Sequence, residues 1–180
     1  MGRDKALLPF NHQPLIAHIA QILEPIFPRI CVITDISEIA SAANLPAIPD
    51  HFLGRGPLGG IHAVLSHFGA PTFVVACDMP FLCAPFIEYL CQNFDGDALV
   101  PLGDGGFEPL HAVYGIACAP IFEAYLRGGE KMPPFRRVLE EIDTRWVPLE
   151  TARLYDPTLQ CFSNWNTPED ALETPNWPET

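Results

Sequence analysis

The chain has 180 residues, 48% of them hydrophobic, and a formal charge of −12. This length and composition suit one folded domain, which we take to span residues 1–180. The charge argues against a nucleic-acid or anionic membrane partner, although it allows a small polyanion such as a nucleotide because local charge decides that.

The first part of the chain predicts strands that alternate with helices. Pro14 suits the first turn of a helix, and Ser37 is a plausible N-cap for the next one. The β-branched run RICVITDI between them predicts a strand. In order, we predict a short apolar segment over 6–10, a helix over 13–26, a strand over 29–36, a helix over 37–43 and a strand over 46–49.

The stretch PTFVVACDMPFL predicts the strand around which the fold is organised. Residues 72–77 are nearly all apolar, which is typical of a strand buried on both faces. The run stops at Asp78, and Pro80 has no N–H with which to continue the pairing. Ligands of open α/β sheets bind at the carboxyl ends of the strands. Asp78 is therefore either a site residue or a cap for the following turn or helix.

The rest of the chain continues the alternation. The segment SNWNTPEDALE predicts a turn and then a helix start, with Asn166 or Thr167 as the cap and Pro168 at the first position. Strands that alternate with helices predict a three-layer α/β fold with a mainly parallel sheet covered on both faces. The remaining predictions are a Gly-rich loop over 51–60, helices over 57–68, 84–94, 119–126 and 134–141, strands over 98–102, 110–114 and 145–149, and a flexible loop over 103–108.

The cysteines and histidines do not form a recognisable metal-binding pattern. None of the six cysteines belongs to a C-x-x-C pair, and His62 and His67 are five residues apart, which does not place them on one helical face. We therefore expect buried, reduced thiols rather than disulfides or a zinc site. The sequence also has no apolar run that could cross a membrane and no signal-peptide pattern, so we expect a cytoplasmic protein without a membrane partner.

Polar side chains collect at three predicted strand ends, namely Thr34 with Asp35, Asp50, and Asp78. The loop HFLGRGPLGG can present backbone N–H groups to phosphate, although its glycines could equally serve a tight turn. A carboxylate at a strand end beside phosphates suits Mg²⁺. The sequence contains neither a P-loop nor a G-x-S-x-G motif. Together with Lys5, the pattern indicates electrostatic catalysis of phosphoryl or nucleotidyl transfer.

Five segments resemble, in order, those of the molybdenum cofactor guanylyltransferases. They are MGRDKALLPF, GPLGGI, ACDMPFL, PLHAVY and SNWNTPEDA, and they cover nearly the whole chain. The related cytidylyltransferases share the first and third segments, whereas DKALLPF, GPLGGI and NWNTPED favour the guanylyl branch. The resemblance implies a Rossmann-like nucleotidyltransferase fold and the Mg²⁺-dependent transfer of GMP from GTP to molybdopterin-bound molybdenum, with release of pyrophosphate.

The resemblance also implies roles for individual residues. Lys5 would contact the GTP phosphates, where its compact ammonium suits the charge on the leaving pyrophosphate, and Asp78 would hold Mg²⁺. Asp50 would contact the nucleotide. Asn164 and Asn166 would lie on the side of the acceptor, a molybdopterin-type cofactor, with a turn and helix cap as the alternative. Molybdoenzymes or their chaperones are further candidate partners. The nucleotide pocket would be shaped by Gly56, Pro57, Leu58 and Gly59.

The chain departs from the family pattern at two places. Relatives begin with a strand and a loop of the type L-A-G-G-x-S-x-R, and this sequence begins at the methionine inside the segment that follows. We expect that strand to lie between 29–36 and 72–78, each of which otherwise exposes a ladder edge, and we therefore expect the true start to lie upstream of Met1. Thr34 and Asp35 stand where relatives often carry an asparagine near the guanine or ribose, so the choice of base stays open.

Two other functions remain open on the sequence alone. The first is a non-catalytic relative that binds the pterin cofactor or partner proteins without transferring a nucleotide. The second is a cytidylyl or sugar-nucleotide transferase of the same fold. A thermal-shift measurement with GTP and Mg²⁺ distinguishes the enzyme from the first alternative, because ligand binding raises the stability of the folded state. Side-by-side binding of GTP and CTP distinguishes the guanylyltransferase from the second alternative.

Overall fold

The computed structural model describes residues 4–128 and 132–165, in which short strands and helices alternate. This alternation confirms the predicted α/β class. In chain order the elements are β1 (Pro9–Phe10), β2 (Gln13–Pro14), α1 (Leu15–Leu23), β3 (Val32–Ile33), α2 (Ser37–Ala43), β4 (Ala47–Ile48), α3 (Pro57–Phe68), β5 (Thr72–Val75), α4 (Ala84–Gln92), β6 (Ala98–Gly103), β7 (Gly106–Phe107), β8 (His111–Tyr114), α5 (Cys118–Arg127), α6 (Phe135–Glu140), β9 (Thr144–Val147) and α7 (Leu149–Tyr155).

The larger sheet has the strand order β5-β8-β6-β7, and β9 also pairs with β6. β8 is antiparallel to both β5 and β6, while β9 is parallel to β6. It follows that β5, β6 and β9 all run in one direction, so their carboxyl ends meet at one edge of the sheet. β3 and β4 form a separate parallel pair, and β1 and β2 form a hairpin.

Helices cover both faces of the larger sheet. Successive side chains along a strand point to opposite faces, so neighbouring residues of β6 show which helices lie on each face. Val100 of β6 packs with buried residues of α3 and α5, whereas its neighbour Leu99 packs with α4 and α7. The three layers are thus helix, sheet and helix. The first face buries Leu58, Ile61, Leu65, Phe122 and Leu126 of the helices, and the second buries Phe86, Leu90 and Ala152.

β5 pairs with a neighbour on one side only among the described residues. Its register with β8, together with the bond from Ala76 N–H to the Leu110 carbonyl at 3.0 Å, directs the backbone groups of Phe73 and Val75 away from β8. All four residues of β5 are only partly buried. The expected burial is therefore incomplete: Val74 packs on the side of α3 and Phe73 and Val75 on the side of α1, but the open edge of β5 leaves all of them partly exposed to a groove.

β3 forms the opposite wall of this groove. Its pairing with β4 uses the N–H groups of Val32 and Thr34, so the backbone groups of Ile33 point away from β4. The groove has a volume of about 520 Å³ and is lined mostly by apolar side chains of β3, β5, α1 and α3. This geometry agrees with our expectation that the strands predicted over 29–36 and 72–78 each have an open ladder edge.

The structure corrects the local predictions at several points. Ile36, not Ser37, is the N-cap residue of α2. The segment predicted as a flexible loop over 103–108 contains β7, which forms a hairpin with the end of β6. Helix α7 was not predicted, because Ala152 is its one fully buried residue and the segment lacks an apolar stripe. The predicted helix start at 166–168 lies outside the described residues.

Within residues 4–128 and 132–165, every helix is too short or too polar to serve as a membrane span.

Candidate active site

The carboxyl end of β5 carries a lysine–aspartate pair. Lys5 Nζ lies 3.2 Å from Asp78 Oδ2, with the lysine side chain 49% exposed and the aspartate side chain 18% exposed. A short 3₁₀ turn places the lysine, since the Asp4 carboxylate accepts the Ala6 N–H at 3.0 Å and Ala6 is buried. The two residues that the sequence nominated for phosphate and metal binding are thus neighbours, although 73 positions separate them.

A segment from the far end of the chain joins the same corner of the fold. The backbone N–H of Trp165 donates a hydrogen bond to the backbone carbonyl of Asp78 at 2.6 Å. Trp165 is only 5% exposed. Asn164, the preceding residue, is exposed. The structure therefore brings Asn164 to the strand end that carries Asp78. Asn166 lies outside the described residues.

Asp50 and the Gly-rich loop form a second part of the site. Asp50 Oδ1 accepts the Phe52 N–H at 2.8 Å, and the carboxylate rests against the Cα atom of Gly59 in the first turn of α3. Gly56, the N-cap of α3, has a φ of +70°, which glycine adopts without strain. Leu58 is buried in the core, so its side chain does not shape the pocket and only its backbone can.

Both parts of the site border the groove between β3 and β5, although Lys5 and Asp78 themselves do not line it. Asp50, Gly56 and Pro57 line it at the side of α3, and Cys77, directly before Asp78, lines it at the end of β5. Burial, followed by the charges of Asp78 and Asp4, raises the pKa of the Cys77 thiol to about 11, so it stays protonated at neutral pH. All six cysteines are free, but only Cys118 and Cys161 are buried and Cys91 is exposed, so the expectation of buried thiols holds for two of them.

The donors present fit a magnesium ion that arrives with a nucleotide. Mg²⁺ usually takes one or two carboxylates, keeps several waters and shares the phosphates of its substrate. Asp78 supplies one carboxylate, and Asn164, the residue before Trp165, would add an amide oxygen from the neighbouring segment. The described ranges hold no group of three or more His, Cys, Asp or Glu residues that could bind a metal without such help.

Sequence reasoning missed the residues that hold the turn after β5. The His18 ring lies with Nε2 3.0 Å from the Pro80 carbonyl, and no spacing in the sequence connects the two residues. Trp165 lies between Asn164 and Asn166, in a segment that the sequence analysis assigned to the site, so the segment was predicted but the tryptophan was not. The ring of His111 in β8 is fully buried, and neither of its nitrogens has a hydrogen-bond partner among the described residues.

An α/β sheet with an acidic strand end and a Gly-rich helix start beside one groove is typical of proteins that bind ligands at the carboxyl ends of their strands. Comparison with family models narrows this class. The model of the MobA-like NTP transferase domain matches residues 1–145, about four-fifths of the chain. The chain therefore belongs to the MobA-like NTP transferase family and is a nucleotidyltransferase.

Relatives and solved structures agree with this assignment. A probable molybdenum cofactor guanylyltransferase of Pelotomaculum thermopropionicum is 33% identical over 176 residues, which span 96% of this chain and 84% of that protein. The molybdenum cofactor guanylyltransferase of Vibrio cholerae is 31% identical over 178 residues, or 96% and 83% of the two chains. The crystal structure of molybdopterin-guanine dinucleotide biosynthesis protein A from Archaeoglobus fulgidus matches with a TM-score of 0.78 at 31% identity, covering 94% of this chain and 87% of that one.

Proposed function

We propose that this protein is a molybdenum cofactor guanylyltransferase, which transfers GMP from GTP to a molybdopterin-type cofactor and releases pyrophosphate. The names of the relatives support the substrates. The observation that carries the mechanism is the pairing of Lys5 and Asp78 just beyond the carboxyl end of β5. In this proposal the triphosphate binds beside the pair, where a cation and a carboxylate that would hold a metal lie together.

In the reaction, a terminal phosphate oxygen of the acceptor attacks the α-phosphorus of GTP. The bond from that phosphorus to the bridging oxygen breaks, and pyrophosphate leaves with the electron pair. Lys5 donates N–H groups and positive charge to the phosphates and stabilises the charge that develops on the leaving group. Mg²⁺ bound by Asp78 would neutralise phosphate charge in the same place.

The remaining site residues position the two substrates. At the N-terminus of α3, Pro57 has no N–H and the Gly59 N–H donates to the Gly56 carbonyl at 3.2 Å, so the Leu58 N–H and the positive end of the helix dipole are what favour a phosphate there. The Asp50 carboxylate keeps one oxygen free of the Phe52 N–H and can accept a hydrogen bond from a sugar hydroxyl or a base N–H. Asn164 and Asn166 contact the acceptor in this proposal.

A direct assay of the full chain tests this function. The protein is incubated with GTP or CTP, a molybdopterin-type acceptor and Mg²⁺, and both pyrophosphate and the nucleotide-linked cofactor are measured. We expect product with GTP and little with CTP. A preference for CTP would instead identify a cytidylyltransferase. Neither product nor a thermal shift with GTP and Mg²⁺ would favour the non-catalytic alternative.

Gly59→Ala is expected to raise the KM for GTP roughly tenfold, because a small misplacement of a contact residue is costly. A Cβ atom at position 59 would lie 2.6 and 2.7 Å from the two Asp50 carboxylate oxygens, so the carboxylate must move. Gly60→Ala is the matched control, since its Cβ would meet only Ile33 Cγ2 at an ordinary 3.7 Å. Equal KM values for the two variants would contradict a role for Asp50 in binding GTP.

A further inference from the structure

The turn that follows β5 is held through its carbonyl groups. Met79 and Pro80 are both buried, and Pro80 has no N–H to donate. At one end of the turn, the Asp78 carbonyl accepts the Trp165 N–H at 2.6 Å. At the other end, the Pro80 carbonyl lies 3.0 Å from His18 Nε2. A carbonyl can only accept, so Nε2 of His18 carries the proton and donates it.

One aromatic ring connects the two donors. The Phe10 ring centroid is 4.6 Å from that of His18 and 4.9 Å from that of Trp165, and the Trp165 ring meets Phe10 edge to face. Phe10 is 7% exposed and belongs to the same buried cluster as Met79 and Trp165. Helix α1, which carries His18, and the segment that carries Trp165 are thus braced against each other on either side of the turn.

We propose that His18 and Trp165 are positioning residues that fix the Asp78 carboxylate by clamping the turn 78–80 at both of its ends. This inference rests on the proposed function and deepens it, since both residues contact the backbone carbonyls of the turn and not the Asp78 carboxylate. A carboxylate on a clamped turn stays beside Lys5 without reorganisation during the reaction, and preorganised charge of this kind is most effective in catalysis. A looser turn would lower kcat more than it raises the KM for GTP.

Two substitutions at position 18 separate the hydrogen bond from the packing. His18→Phe keeps a ring against Phe10 but has no donor. His18→Gln loses the ring but keeps an N–H donor at a similar distance from the backbone. We expect kcat to fall roughly tenfold in His18→Phe, while the KM for GTP changes less than about twofold. In His18→Gln, kcat should return to near the wild-type value. His67→Phe, at an exposed position of α3, is the control and should match the wild type.

The hydrogen-exchange rate of the Trp165 backbone amide measures how often the turn opens, and the measurement does not depend on catalysis. In His18→Phe the turn opens more often, so the Trp165 N–H should exchange several-fold faster than in the wild type, His18→Gln or the control. Circular dichroism confirms that each variant is folded. The proposal is overturned if His18→Phe keeps the wild-type kcat and exchange rate, or if His18→Gln is the more impaired of the two. If the wild type makes no product, the proposed function fails, and the exchange rates alone decide whether the clamp exists.

Discussion

Asp78→Asn is expected to lower kcat by roughly two to three orders of magnitude, because the site loses the carboxylate that pairs with Lys5 and would hold the metal. Asparagine has nearly the same shape, so the turn and its two carbonyl contacts should remain. The lost ion pair has a half-exposed lysine, and such a pair contributes less than about 1 kcal/mol to stability. A fall in kcat with an unchanged unfolding midpoint is therefore the expected result, measured by pyrophosphate release and by circular dichroism.

Asp95→Asn is the matched control for this variant. Asp95 also forms an ion pair, with Arg145 at 2.9 Å, but it precedes β6 and so lies toward the amino end of that strand, at the opposite edge of the sheet. Its loss should change kcat less than about twofold. Wild-type kcat in Asp78→Asn would overturn the proposed mechanism, whereas equal losses in both variants would point to a general effect of surface charge.

Helices were predicted best where a local signal marks at least one of their ends. The predicted helix over 57–68 coincides with α3, which starts at a proline and ends before Gly69, whose φ is +60°. Helix α2 also matches the predicted 37–43, and it ends at Asn44 in the left-handed conformation. In each case a residue type that is unusual inside a helix marks the boundary, so the sequence contains the information.

Strand lengths were predicted less well, because pairing partners decide where a strand ends. The β-branched run 29–36 is uniform in sequence, yet only Val32–Ile33 forms a ladder, with the equally short β4. β5 likewise ends at Val75, although the apolar run continues to Cys77. Within the described residues each of these strands has one unpaired edge. Local sequence cannot predict whether a strand from a distant part of the chain pairs with that edge.

The candidate site was predicted as a set of residues but not as a geometry. The polar residues at strand ends indicated Asp50 and Asp78, with Lys5 beside the Gly-rich pattern, and the resemblance added Asn164 and the role of each residue. The structure places these residues at one edge of the fold, while their roles remain predictions. The contact between His18 and Pro80 joins positions 62 apart and depends on how α1 packs against the turn, so only the tertiary structure could reveal it.

Acid is expected to destabilise the folded protein through His111. The ring is fully buried in β8, and the aromatic rings around it carry no charge, with centroids at 5.3 Å for Phe73, 5.8 Å for Phe86 and 5.3 Å for Phe162. Burial lowers the pKa of His111 from 6.5 to about 3. In the folded state the ring therefore stays neutral down to about pH 3, whereas in the unfolded chain it gains a proton below about pH 6.5.

The unfolded state consequently binds more protons between about pH 3 and 6.5, and the free energy of unfolding falls as the pH falls through this window. One proton of difference corresponds to at most about 1.4 kcal/mol per pH unit. His111→Leu removes the titrating group, so a plot of unfolding free energy against pH from 4 to 6.5, obtained by urea denaturation, should be shallower by up to that amount. His67→Leu removes an exposed histidine and should keep the wild-type slope. A wild-type slope in His111→Leu would contradict this prediction. It would mean that other groups cause the acid sensitivity and that the His111 ring is protonated in the folded state as readily as in the unfolded chain.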